Sequence, residues 1–240
     1  YLTHDIDAIS QYRHLRGALG GLRRGEGKAV WAALRDIHQD PLYTFPWILE
    51  QDHQVKKAEP IYFVKRTRGR GYDYPQYCLH GRDWRCLKHM LRHNNVYLGV
   101  HGSYYGSIPA IEYSKMYRAH YLRCSIEQMQ RLADAGYTDD FTMGFADQAG
   151  FRLQTCRAVR WINPKTMQLT NLTLHPLMVM DTTLSKYMHL TEDEAYFLCE
   201  RLIAKVKLHH GDLCLLWHNN SFSGESYHRA LYPKILALIK

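Results

Sequence analysis

The chain opens Tyr1-Leu2-Thr3-His4-Asp5-Ile6-Asp7, two acids one residue apart directly after a short apolar lead. The lead reads as a buried strand. A carboxylate at the end of such a strand loses several kcal/mol of hydration unless a partner or a metal compensates it. Strand ends are also where parallel α/β folds assemble their chemistry. The pair therefore has two readings: part of a catalytic or metal site, or a cap for the next helix, a role Asp fills well. Other reactive side chains fall at comparable places. His101 follows Val96-Tyr97-Leu98-Gly99-Val100. Arg118, His120 and Arg123 surround Tyr117 to Leu122, and Asp140 precedes Phe141. Asp181 follows Leu174 to Met180, and His218 follows Leu213 to Trp217.

On the C-terminal face of a parallel barrel all of these converge. One Asp with one or two His makes a ligand set for a divalent cation with open positions. A second carboxylate can take a proton from water, a His can protonate a leaving amine, and an Arg can brace the base. Those are the parts of a metal-assisted amide or ester hydrolase. Each residue also has a plainer reading. With fifteen His in the chain, any one at a strand end can be an ordinary core or surface residue. Asp181 before Thr182-Thr183 can cap a turn, and Arg118, His120 and Arg123 can lie on an exposed helix. The joint placement carries the functional reading.

The elements that would position these residues alternate. Short β-rich or apolar runs predict strands at Tyr1 to Thr3, Ile61 to Val64, Val96 to Val100, Tyr117 to Leu122, Phe141 to Phe145, Leu174 to Met180 and Leu213 to Trp217. Their continuous apolar character predicts burial on both faces, as in a parallel sheet. Helical spacing predicts helices over Ala29 to His38, Pro46 to Gln54, Trp84 to Arg92, Ile126 to Ala135, Thr191 to Leu208 and Tyr232 to Ile239. The clearest is Thr191 to Leu208, where Thr191 and Glu194 form a capping box and Gly211 closes the segment. Alternation of this kind predicts an α/β fold of about seven strand–helix units in one domain over residues 1–240. The stretch Arg66 to Gln76, rich in Arg, Gly and Tyr, reads as an exposed loop.

Composition sets wider bounds. No run of ~18 apolar residues exists to span a membrane. The chain shows no secretory leader and opens inside a strand, as a domain taken from a longer protein would. None of the six cysteines, Cys78, Cys86, Cys124, Cys156, Cys199 and Cys214, forms a CxxC pair, so a thiolate zinc site is not expected. Free thiols favour a reducing, cytoplasmic setting, although an even number leaves disulfides open. The formal charge is +8, concentrated in Arg13 to Lys28 and Lys65 to Arg70. It suits an anionic partner or simply a solvated basic face. No helix-turn-helix, zinc finger or RNA-binding signature points to nucleic acid.

Taken in order, Thr3-His4-Asp5-Ile6-Asp7, Gly99-Val100-His101-Gly102-Ser103-Tyr104, Arg118-Ala119-His120-Tyr121-Leu122-Arg123, Tyr137 to Gly144, Gly150-Phe151-Arg152 and Leu216-Trp217-His218-Asn219 resemble the NodB-homology polysaccharide deacetylases, carbohydrate esterase family 4. The likeness is nearest to a divergent bacterial branch found with surface-polysaccharide genes. The resemblance implies a distorted (β/α)7 barrel, a divalent metal, usually zinc, and removal of acetyl groups from N-acetylated or O-acetylated sugars. It implies Asp5 as general base, His218 as general acid, and Arg118 or Arg123 as the arginine bracing the base. It also implies Asp7 and His101 as metal ligands. The family's second motif histidine falls at Tyr105, a poor zinc ligand at neutral pH, and His120 is the nearest substitute as third ligand. Ile6 separates two acids that are adjacent in the family, and Gly102 stands where the family has Ser or Thr. Tyr104, Asp140, Arg152, Asp181 and Asn219 are candidates to bind the sugar, with Tyr72 and Tyr74 as stacking surfaces or ordinary packing. The expected partner is an acetylated glycan. The alternative is a catalytically weak or inactive carbohydrate-binding protein on the same barrel.

Overall fold

In a computed structural model, residues 1–66, 71–74, 76–224 and 226–240 are described. Most of the basic run expected near residue 66, namely Thr67, Arg68, Gly69 and Arg70, lies outside them. The strands are β1 (Leu2–Ile6), β2 (Pro60–Lys65), β3 (Tyr97–His101), β4 (Met116–Arg118), β5 (Asp139–Asp140), β6 (Val159–Ile162), β7 (Leu169–Leu174), β8 (Val179–Met180) and β9 (Leu215–Leu216). The helices are α1 (Leu15–Arg23), α2 (Gly27–Arg35), α3 (Phe45–Asp52), α4 (Arg82–His93), α5 (Ile126–Asp134), α6 (Glu192–Leu208) and α7 (His228–Ala237). They form one nine-stranded sheet, ordered β6-β7-β5-β4-β3-β2-β1-β9-β8. Every pairing is parallel except β6 with β7.

The architecture is the expected α/β class, with a different count from seven units. Among the described residues β6 and β8 each pair on one side only, so the sheet is open. Four connections, β3 to β4, β5 to β6, β6 to β7 and β7 to β8, carry no α-helix. The antiparallel β6–β7 hairpin was not expected. Its strands are half-exposed, and the turn between them is an Asx turn in which Asn163 Oδ1 accepts from Lys165 N at 2.9 Å. The apolar run Leu174 to Met180 is not one strand. Pro176 lacks a donor for the ladder, and the run divides between the end of β7 and all of β8. The expected strand at Phe141 to Phe145 does not form; the strand lies just before it, at Asp139–Asp140, and ends where Asp140 accepts from the Thr142 amide and hydroxyl. The helix α1, within the basic segment Arg13 to Lys28, was likewise not expected.

The register fixes which residues face the concave side. Asp5 pairs with Phe63, Phe63 with Gly99, Lys65 with His101, and His101 with Arg118. Partners in register share a face, and so do residues two apart. Asp5, Phe63, Lys65, His101 and Arg118 therefore all point to one side. Leu2, Ile6, Tyr62 and Val64 point to the other, into the main core beneath the helices. β4 and β9 are four strand spacings apart, roughly 19 Å if the sheet were flat. Yet Arg118 on β4 reaches Cys214, just before β9, at 3.9 Å. The sheet must therefore curl strongly around β1, as a partial barrel does.

Two glycines permit this packing. A Cβ on Gly99 would sit 2.5 Å from the Phe63 ring, and one on Gly102 would sit 1.9 Å from the Tyr117 hydroxyl. Tyr117 is fully buried, so Gly102 occupies a position where a serine or threonine could not fit. Gly102→Ala is expected to destabilise by about 1–3 kcal/mol through overpacking. A thermal melt should show this as a Tm lower by roughly 2–10 °C, and an unchanged Tm would mean that Tyr117 moves freely.

Candidate metal centre and active site

β1 is buried along its whole length, and the Asp-Ile-Asp spacing uses its two-residue period. Ile6 turns into the core while Asp5 and Asp7 point the same way, toward the concave face. His4 goes to the opposite side. Its Nε2 bonds Asp52 Oδ2 at 3.0 Å and its Nδ1 bonds the Trp217 carbonyl at 2.9 Å. The first residue of His4-Asp5-Ile6-Asp7 is thus a buried tie between β1, α3 and the end of β9.

Asp5 is bound by Arg118, whose Nη1 donates to Oδ1 at 3.0 Å. The guanidinium is fully buried. It lies over the Phe63 ring at 4.4 Å, and its Nε donates to the Phe141 carbonyl at 3.0 Å. Of the two candidate braces, Arg118 is the one that meets Asp5. Arg123 is exposed, stacked over Tyr104 at 4.3 Å.

Asp7 Oδ1 lies 3.5 Å from His101 Nε2 and 3.5 Å from His120 Nε2. These three atoms form the cluster among the described residues that could hold a metal ion. Three observations fit a cation there. A tetrahedral ion with ~2.0–2.1 Å bonds needs ligand atoms roughly 3.3–3.4 Å apart, close to the spacing found. Asp7 Oδ1 and His101 Nε2 are buried with no hydrogen-bond partner, a costly state unless something else engages them. The far nitrogens are held as metal-binding imidazoles require: His101 Nδ1 faces the Arg118 carbonyl at 3.2 Å, and His120 Nδ1 faces Asp73 Oδ1 at 3.3 Å. Burial, reinforced by His101, lowers the His120 pKa to about 4, so its imidazole is neutral at pH 7. Burial raises the pKa of Asp7, but the close approach and charge of His101, with His218 and His120, override it and keep the carboxylate ionised. Tyr105, at the family's ligand position, is 66% exposed, and His120 occupies the cluster instead.

Sequence reasoning missed two residues here. Lys65 is almost fully buried; its Nζ donates to the Tyr72 carbonyl at 2.9 Å and lies 3.8 Å from Asp7 Oδ1. Burial lowers its pKa against the pull of Asp7, Asp73 and Asp5. It ends β2 as His101 ends β3, so the same strand-end rule would have found it. Asp73 accepts from the Tyr104 amide at 2.7 Å, from the Ser103 hydroxyl and from His120. It sits in a short turn with no strand to announce it.

On the other side His218 Nε2 comes within 4.0 Å of Asp7 Oδ2. Its Nδ1 bonds Asp181 Oδ1 at 2.8 Å, and its backbone N–H donates to Asp181 Oδ2 at 2.7 Å. Burial alone would lower the His218 pKa, but Asp181, then Asp5 and Asp7, drive it up to about 9. Asp181 is therefore the partner of His218, rather than a group facing a sugar.

A cavity of about 360 Å³ opens over Asp5, Asp7, His120 and His218, walled by Tyr121, Tyr187, Lys186 and Asn220 among others. Tyr121 and Leu122 on its lining have φ of 58° and 52°, a left-handed conformation that non-glycine residues hold mainly where surroundings impose it. The other expected sugar contacts lie elsewhere. Asp140 is buried, bonded to the Thr142 hydroxyl at 2.6 Å, and burial raises its pKa to about 6. Asn219 is buried and ties the Ala8 and Leu42 carbonyls together at 3.0 and 2.8 Å. Arg152 donates to the Gly144 carbonyl at 3.1 Å. Tyr104 is not on the cavity lining; its ring is tilted against Tyr72 at 4.6 Å and edge-on to Tyr121 at 5.4 Å. Tyr74 is exposed, with Arg16 5.7 Å from its ring.

No protein-family model and no curated protein matches the sequence. Among solved structures the fold is similar to that of a Mycobacterium smegmatis protein assigned as a polysaccharide deacetylase. The TM-score is 0.57 and the identity 15%, over 98% of this chain and 81% of that one. A Bordetella bronchiseptica protein, assigned as a polysaccharide deacetylase involved in O-antigen biosynthesis, also matches. Its TM-score is 0.41 and its identity 13%, over 99% of this chain and 81% of that one, a superposition too loose to argue from. The likeness is one of fold.

Zinc titration by calorimetry is expected to show one site, lost in His101→Ala and in His120→Ala. It should weaken about 10–100-fold in Asp73→Asn and persist in Tyr105→Ala. Binding that survives His120→Ala but not Tyr105→Ala would overturn the ligand set. Arg118→Met, which strands the buried Asp5 carboxylate, should cost about 3–5 kcal/mol in denaturant melts. Arg123→Ala should cost no more than about 0.5 kcal/mol.

Proposed function

We propose that this protein is a metal-dependent carbohydrate deacetylase that hydrolyses an N-acetyl (or O-acetyl) group on a sugar during bacterial polysaccharide synthesis or modification. One observation carries the reading. The Asp7, His101 and His120 cluster opens through Asp7 and His120 into one cavity, which is also lined by an Arg-braced carboxylate, Asp5, and a carboxylate-paired histidine, His218. The fold shared with a structure assigned as a polysaccharide deacetylase is consistent with it.

A divalent cation on those three ligands, zinc by its nitrogen and oxygen donor set, supplies Lewis acidity toward an acetyl carbonyl and a water. The chain's own groups do the rest. Arg118 holds Asp5 through Oδ1 and leaves Oδ2 facing the His101 side. There Oδ2 takes a proton as water oxygen attacks the acetyl carbon. His218, protonated at neutral pH with Nδ1–H on Asp181, presents Nε2–H to the cavity. It donates that proton to the sugar nitrogen as the C–N bond breaks, leaving acetate and a free amine.

A screen of acetylated sugars with zinc-loaded protein is expected to release acetate. Asp5→Asn and His218→Gln should each lower kcat by about 10²–10⁴-fold, while calorimetry still finds the zinc site. Acetate release that is equal in both variants would remove them from the chemistry. Sugar binding without acetate release by the zinc-loaded protein would instead favour a non-catalytic carbohydrate-binding protein.

A further inference from the structure

We infer that the sugar carries a negatively charged substituent and that Lys186 reads it, an inference that rests on the deacetylase reading above. Lys186 belongs to a π-helical turn, Thr183–Tyr187, that begins two residues after Asp181. The turn is closed by the Met188 amide on the Thr183 carbonyl at 2.9 Å. Such wide turns are uncommon and concentrate at functional sites. This one places two consecutive side chains, Lys186 and Tyr187, on the wall of the cavity that holds Asp5, Asp7 and His218.

The charge balance of that cavity gives Lys186 nothing to pair with. Asp5 is taken by Arg118, Asp7 faces His101, His120 and Lys65, and Asp181 is taken by His218. Among the described residues Lys186 forms no ion pair and no side-chain hydrogen bond, and it is exposed. It is therefore a solvated cation at the mouth of a site whose internal charges are already matched. A neutral sugar would leave it in water. A sugar bearing a carboxylate or a phosphate could seat its ring against Tyr121 or Tyr187 and give Lys186 a charge-assisted hydrogen bond. The shared chemistry is an anionic oxygen cluster on the acetylated sugar or its neighbour.

The test uses three probes with one ring: N-acetylglucosamine, its 6-phosphate, and N-acetylglucosaminuronic acid. Acetate release by zinc-loaded wild type, Lys186→Gln and Lys186→Arg gives kcat/KM for each. In wild type at least one anion should exceed the neutral sugar, and the preferred anion identifies carboxylate or phosphate as the source. Lys186→Gln should reduce that preference about tenfold, chiefly through KM, and Lys186→Arg should retain most of it. A wild-type preference near one, or a preference unchanged in Lys186→Gln, would overturn the inference. Should none of the three release acetate, the deacetylase reading lacks support from these probes. The same preference is then read from calorimetric dissociation constants, on which the role of Lys186 stands or falls separately.

Discussion

Putting Asp5 and Asp7 on the concave side of a fully buried central strand obliges the fold to bring positive or proton-donating groups to them. Burying one carboxylate without a partner would cost a large part of a domain's net stability. The groups that answer come from strands on both sides: Lys65 from β2, His101 from β3, Arg118 from β4 and His218 from beyond β9. In a flat sheet these could not meet. The curl of the sheet, the small residues Gly99 and Gly102, and the aromatic bed of Phe63 and Phe141 under Arg118 all serve the same convergence.

Much of this was legible in the sequence because it follows short-range rules. Strand-end placement anticipated that Asp7, His101, Arg118, Asp181 and His218 would converge, since a buried parallel strand has one place to show a polar side chain. The capping box at Thr191 and Glu194 is formed as written. Less accessible was what depends on register or on turns. His4 and Asp5 are neighbours with opposite fates, and only the alternation along a buried strand separates them. Asp140 and Asn219, expected to meet a sugar, instead have their side chains bonded to backbone or neighbouring groups inside the fold. Lys65 was masked by the basic run after it, and Asp73 by a turn without a periodic signal. The β6–β7 hairpin is half-exposed and lacks the apolar density that marked the other strands.

The departures from the resembled family's pattern also have physical causes. Ile6 between the acids is what a strand requires if both carboxylates are to share a face while the core remains apolar. Gly102 is small because Tyr117 fills the space a side chain would take. With Tyr105 turned to solvent, His120 enters from the next strand's end through a left-handed turn at Tyr121 and Leu122. The His120 ring, two strands from β2, is supported by Asp73, which Ser103 in turn holds from the facing loop.

Two histidines that share this cavity are pushed in opposite directions, and the difference suits the separate roles proposed for them. His120 sits beside His101 and Lys65, so burial and neighbouring positive charge outweigh Asp7 and Asp73 and hold it neutral, with a pKa of about 4. His218 is also buried, but Asp181 contacts it directly and Asp5 and Asp7 face it, which raises its pKa to about 9. A neutral imidazole can give a lone pair to a cation, and an imidazolium can give a proton to a leaving group; neither can do the other's work. Such a divergence between like groups is what the proposed chemistry, with one neutral and one protonated imidazole at the same pH, would require. Here it follows from burial and neighbouring cations prevailing at His120, and direct contact with Asp181 prevailing at His218.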